Sequence, residues 1–182
     1  KKTAKLVKEK LRFLRDKEIL DFLMINSTKT DLYFSSCRCL YSKELIGEER
    51  FPEGRIAEDI TWKYKVFHKA KSMVDSNVIK YYYFINIGSI TTFGLRKRDF
   101  DLYTASSELK DLTSSETYGQ IKKMGKVKHA RTSLSLLCKI AYYGISDPEI
   151  DKKSTIKKLK KELRGNTMLL LSSPMALSRK IL

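Results

Sequence analysis

The chain has 182 residues, 42% of them hydrophobic and 32% charged, with a formal net charge of +16 and a pI near 9.7. Such a length suits one domain with a real core and is short for two, and no apolar run is long enough to cross a bilayer. The charge points to polyanionic partners: nucleic acid, an anionic membrane surface or phosphorylated ligands. The three cysteines, Cys37, Cys39 and Cys138, form no paired framework, which argues for a reducing compartment. The Cys37-x-Cys39 spacing, with His68 and His129 far from it and from each other, supplies no zinc site. A chain that opens on Lys1 with a basic helical pattern reads as a piece of something larger.

In chain order, residues 5–26 carry two apolar stripes, Leu6, Val7, Leu11 and Leu14, then Ile19, Leu20, Leu23 and Met24. They predict one or two amphipathic helices, with Asp16 placed to cap the second. Leu32 to Phe34 reads as a short strand and Leu40 to Ile46 as one or two helical turns. Pro52 and Gly54 mark a loop. Ile60, Tyr64 and Phe67 then recur at helical spacing and predict a helix ending near Met73 or Val74. Glu58 and Asp59 stand at its start, where acids commonly cap a helix and complement its dipole. Val78 to Phe84, with three successive tyrosines, predicts a β run, and Gly88 a turn. From about Arg98 the pattern is helical: one segment with Phe100, Leu102, Tyr103 and Leu109, a second from about Ser115 to Tyr143, and a third from Asp151 to Arg164 stopped by Gly165. The expected class is mostly α with a few short strands (α+β), divided into residues 1–97 and a carboxy-terminal helical region, 98–182.

Three segments in this order carry a resemblance: Cys37-Arg-Cys-Leu-Tyr-Ser-Lys-Glu-Leu-Ile46, Phe51-Pro-Glu-Gly-Arg-Ile-Ala-Glu-Asp59, and Tyr81-Tyr-Tyr-Phe-Ile-Asn-Ile-Gly-Ser-Ile-Thr91. Together they resemble the carboxy-terminal part of family-2 glycosyltransferases of the GT-A α/β fold, over roughly residues 35–91. The resemblance implies transfer of a sugar from a nucleotide sugar with inversion at the anomeric carbon. A neutral acceptor hydroxyl needs a base on the attacking side, and by position in the motif that base is Asp59. Glu58 would orient the acceptor or hold the loop, and Trp62 would offer a ring to the sugar or serve as a core residue. Arg55 and Ser89 complete the implied substrate-binding set.

The sequence also departs from the family pattern. Cys39 stands where Lys is usual, and Phe84 and Asn86 stand where basic residues are usual. Arg38 and Arg55 are the neighbours that could substitute. The complete enzyme would hold a divalent metal, Mg or Mn, through an acid motif in an upstream nucleotide-binding half. No Asp-x-Asp precedes Asp59, so no metal site is expected here, and the chain alone is expected to be inactive.

The implied partners are a nucleotide-sugar donor and a glycan or lipid-linked acceptor, with no nucleic acid. The implied location is cytoplasmic, peripheral at the inner membrane face, with Ile156, Leu159 and Leu163 either as apolar area beside the lysines of the helix over residues 151–164 or packed against the domain. Two alternatives stand beside this reading. A charge of +16 with ten Tyr and eight Phe fits a nucleic-acid-binding module, although the aromatics cluster with apolar neighbours instead of alternating with cations. A non-catalytic helical interaction module is favoured by Cys39 and Asn86.

Overall fold

A computed structural model describes residues 8–78, 80–82, 84, 86, 89–177 and 180. Its regular structure is mostly helical, with one two-stranded antiparallel sheet, an α+β arrangement. Strand β1 (Leu11–Arg15) pairs with β2 (Ser72–Ser76), Phe13 opposite Val74. Helices α1 (Lys17–Lys29), α2 (Lys43–Ile46) and α3 (Asp59–Lys69) lie between the strands in sequence. After β2 come α4 (Asp101–Ser114), α5 (Gly119–Ala130), α6 (Thr132–Tyr143), α7 (Lys152–Gly165) and α8 (Thr167–Leu171).

Residues 11–15, expected as helix, are strand. Leu11 and Leu14 fit a helical stripe, but Leu11 and Phe13 equally fit a strand face, and pairing with a distant partner decides between the two. Backbone bonds extend the ladder at both ends, from Asn77 N to Lys10 O and from Asp16 N to Lys71 O. The same pairing ends α3 at Lys69, short of the expected Met73 or Val74, because residues 72–76 are taken up by the sheet. Asp16 precedes α1 with φ of 46° and makes no side-chain cap; Glu18 reaches back to the Arg15 amide instead, 3.0 Å away.

Residues 31–33 form a 3-10 turn where a strand is expected. The expected helix from Ser115 to Tyr143 is two helices, broken at Arg131. Leu6, Val7, Ile79, Tyr83 and Gly88, which entered the sequence-based expectations, lie outside the described residues, and residues 78, 80–82 and 84 carry no strand.

Helix α3 is the centre of the packing. Ile60, Thr61, Trp62, Lys63, Tyr64, Val66 and Phe67 are all buried, as expected of a helix enclosed on nearly every side. Around it, α1 contributes Ile19, Leu20, Leu23 and Met24, α4 Ala105 and Leu109, and α5 Ile121, Met124 and Val127. This core draws on both sides of residue 97. A second cluster joins Leu95, Leu136, Ile140 and Leu159, closing α6 and α7 on the segment before α4. Asp151 caps α7 by accepting from the Ser154 amide at 2.7 Å.

Candidate active site around Asp59

The first two of the three segments that carry the resemblance meet in space. Tyr41 of the first, Phe51 of the second and Trp62 just beyond it form an aromatic cluster. Phe51 stacks on Trp62 at 4.4 Å between centroids, and Tyr41 meets Trp62 edge-on at 5.2 Å. The Trp62 indole donates to Glu49 O at 3.4 Å. With 5% of its surface exposed, Trp62 fastens residues 41–51 to α3 and presents no free ring face.

Asp59 opens α3 just after Ala57, whose φ of 61° places a non-glycine residue in the left-handed region. Its side chain lines a cavity of about 220 Å³ with Phe34, Ala57, Ile60 and Leu102, and with Lys128, Arg131, Thr132 and Ser135. Burial pushes the carboxyl up, the neighbouring Glu58 charge adds to this, and Lys128 and Lys63 pull it back, leaving it at about 6. A carboxylate there is half-neutralised close to neutral pH, the condition that suits a general base.

Three cations near Asp59 belong to helix stripes that read as purely apolar. Lys63 falls between Ile60 and Phe67 on α3 and is 2% exposed. It donates to Ser35 O at 3.0 Å and to Cys39 Sγ at 3.1 Å, and lies over the Phe67 ring. Burial lowers its pKa. A cation thus stands beside Cys39, where the resemblance expects lysine within the motif itself. Lys128 and Arg131 continue the Ile121–Met124 stripe of α5. Lys128 Nζ lies 4.8 Å from the Phe34 ring centroid. Arg131 donates to the carbonyls of Ser27 and Thr28 at 3.3 and 3.2 Å, favourably placed at the C-terminal end of the α1 dipole. The legible signal is a basic residue at an i+3 or i+4 position of a buried stripe.

Of the five residues named from sequence, Asp59 alone lines this cavity. Glu58 is partly buried at the N-cap position and makes no capping bond. Arg55 makes a bidentate pair with Glu108 of α4, at 2.6 and 2.5 Å, and lines a separate open depression with Pro52, Glu53, Lys65 and Asp111. Ser89 sits in a turn, its hydroxyl 2.9 Å from that of Thr91 and 3.2 Å from that of Thr92. Among the described residues no group of three His, Cys, Asp or Glu side chains could hold a metal ion, and no helix is long and apolar enough to cross a membrane.

The Arg55–Glu108 pair ties the loop before α3 to α4, aided by the Ile56 amide, which donates to Asp101 Oδ2 at 3.1 Å. The Arg55 guanidinium holds the Glu108 carboxyl below 4.5. Stability from a lowered carboxyl is present above its unfolded pKa and is lost as pH falls through the folded one. Arg55→Ala is expected to cost about 1 kcal/mol at neutral pH, since Glu108 is partly solvated. That difference from the native chain should shrink in urea titrations carried out below about pH 4. A pH-independent cost would mean that Arg55 contributes by packing alone.

Comparison with protein-family models, with curated proteins and with solved structures gives no significant match.

Proposed function

We propose that this chain is the acceptor-side portion of an inverting glycosyltransferase, with Asp59 as the base that activates the acceptor hydroxyl. The observation that carries the reading is Asp59 itself. It is a carboxylate with a pKa raised to about 6, lining a cavity at the start of a buried helix, within the second of the segments that resemble the family.

In the proposed reaction, Asp59 takes the proton of an acceptor hydroxyl as its oxygen forms a bond to the anomeric carbon. The bond from that carbon to the nucleotide diphosphate breaks on the opposite face, and its electron pair leaves with the phosphate. Burial favours the neutral acid that Asp59 becomes, while Lys63 and Lys128 keep it ionised beforehand. The Glu58 charge acts on Asp59 by raising its carboxyl, and the aromatic cluster of Tyr41, Phe51 and Trp62 positions the start of α3. Arg55 does the same through α4.

Among the described residues no group of acids fits the divalent metal that the resemblance implies. Nuclear magnetic resonance titration of the chain with mono- and oligosaccharide acceptors tests the reading. The expected result is that amide shifts gather at Ala57, Ile60, Leu102 and Thr132 and weaken in Asp59→Asn. Shifts confined to surfaces away from this cavity, or none at all, would refute it.

A further inference from the structure

The described structure gives α7 an unusual surface. Lys153, Lys157, Lys160, Lys161 and Arg164 are all exposed and recur at spacings of four, three, one and three, which places them on one helical face. Lys152 and Lys158 are exposed beside them. Among the described residues no carboxylate pairs with any of the seven. The helix's own acid, Glu162, instead accepts from the Tyr103 hydroxyl.

The apolar residues of α7 point the other way. Leu159 is fully buried, Ile156 packs on the second core cluster and Leu163 on the first. Of the two readings of these three residues, apolar area for a membrane or packing against the domain, the structure shows the packing.

The apolar area lies one element further on. Only Asn166 separates α7 from α8, and the bonds from Asn166 N to Leu163 O and from Leu170 N to Asn166 O keep the chain close to helical through the junction. The i+4 and i+3 steps from Arg164 lead to Met168 and Leu171, which are 80% and 48% exposed, and Leu177 beyond them is 71% exposed. Two further ammonium groups reach the end of α8: Lys123 donates to Ser172 O at 3.2 Å and Lys180 to Leu171 O at 2.8 Å. A basic stripe thus runs into exposed large apolar side chains that are themselves flanked by cations.

From this we infer that the α7–α8 face is a docking surface for an anionic lipid bilayer, with Met168 and Leu171 entering the headgroup region while the α7 lysines and Arg164 engage lipid phosphates. Charge complementarity selects an anionic partner. The exposed methionine and leucine select a bilayer over a nucleic acid, which offers no apolar depth to receive them. Helices α7 and α8 themselves carry no aromatic residue of the kind that single strands stack on; their exposed large apolar side chains, Met168 and Leu171, are aliphatic. The inference does not depend on the transferase reading.

Sedimentation of the chain with sucrose-loaded vesicles tests it, comparing phosphatidylcholine alone with an equal mixture of phosphatidylcholine and phosphatidylglycerol. Binding to the mixed vesicles is expected to exceed binding to the neutral ones by at least about tenfold and to fall at high salt. Two sets of surface substitutions separate the two contributions. The triple variant Lys157→Glu, Lys160→Glu, Lys161→Glu should abolish the anionic preference. Met168→Ser with Leu171→Ser should lower binding to the mixed vesicles about tenfold while leaving the fold, followed by circular dichroism, unchanged. Equal binding to both vesicle types overturns the inference, as does full binding by the serine variant. So does a random single-stranded oligonucleotide that binds more tightly than the mixed vesicles and competes with them, which would assign the face to nucleic acid.

Discussion

Asp59→Asn is expected to reduce sugar transfer by about two to four orders of magnitude in a polypeptide that joins this chain to a nucleotide-binding half, while making the folded chain more stable. The two effects share one cause. Burial and the Glu58 charge raise the Asp59 carboxyl from 3.8 to about 6, so between those values the folded state holds a proton that the unfolded state has lost. Stability therefore falls as pH rises through this window, and above it the ionised carboxylate costs the native state about 2–3 kcal/mol. Asparagine is neutral at every pH and avoids that cost. Urea unfolding of the native chain should weaken from about pH 4 to pH 6, and the variant should lack that slope. The transfer rate of the native enzyme should rise with pH through about 6 and then level, because the base must be ionised to accept the proton. A variant that keeps full transfer would remove Asp59 from the chemistry. One that is less stable at neutral pH would mean that its charge is better solvated than its place in the cavity implies.

That a candidate base should destabilise its own fold helps to explain what the sequence disclosed and what it did not. Asp59 was legible because it follows Phe51-Pro-Glu-Gly54 at motif spacing; nothing in its local pattern distinguishes it from an acid at a helix start. Its cationic surroundings were hidden. Lys63 comes from α3, and Lys128 and Arg131 from α5 and the break that follows it, some sixty residues away; each occupies a stripe position that a pattern reading assigns to the core or to solvent. Their roles appear only when tertiary packing brings Phe34, Ala57 and Leu102 round the same space.

Element boundaries divide along the same line. Helix α7 could be read closely because Asp151 caps it and its charge pattern has a clear period, both local features. Strand β1 could not, since Leu11 to Arg15 is compatible with either period and its partner lies about sixty residues away. The break at Arg131 carries no proline or glycine. It coincides with a guanidinium that turns to the carbonyls of Ser27 and Thr28 on α1, a contact that no local window contains.

Gly125→Ala is expected to destabilise the chain by about 2 kcal/mol, reversing the gain of up to about 1 kcal/mol that this change brings in an ordinary helix interior. The reason is the closeness of α4 to α5. A Cβ on Gly125 would lie 1.9 Å from Thr113 Oγ1 and 2.9 Å from Thr113 Cβ. Thr113 is fully buried, and its hydroxyl donates to Lys110 O at 2.9 Å, so rotating it away would sacrifice that bond and meet other packed atoms. Relief has to come from parting the helices. Thr113→Ala removes the hydroxyl and methyl that collide, so the double variant should recover much of the loss, and the two changes should be strongly non-additive in urea unfolding. The seam also supports the candidate site. Lys128 stands one turn beyond Gly125 on α5, Leu102 lies on α4, and both line the Asp59 cavity. Parting the helices would admit water to Asp59 and weaken the burial that raises its carboxyl. In Gly125→Ala the Asp59 titration, followed by carboxyl carbon resonances, should therefore move from about 6 toward the ordinary carboxylate range. A destabilised variant in which it stays at about 6 would show that the seam and the cavity are mechanically independent.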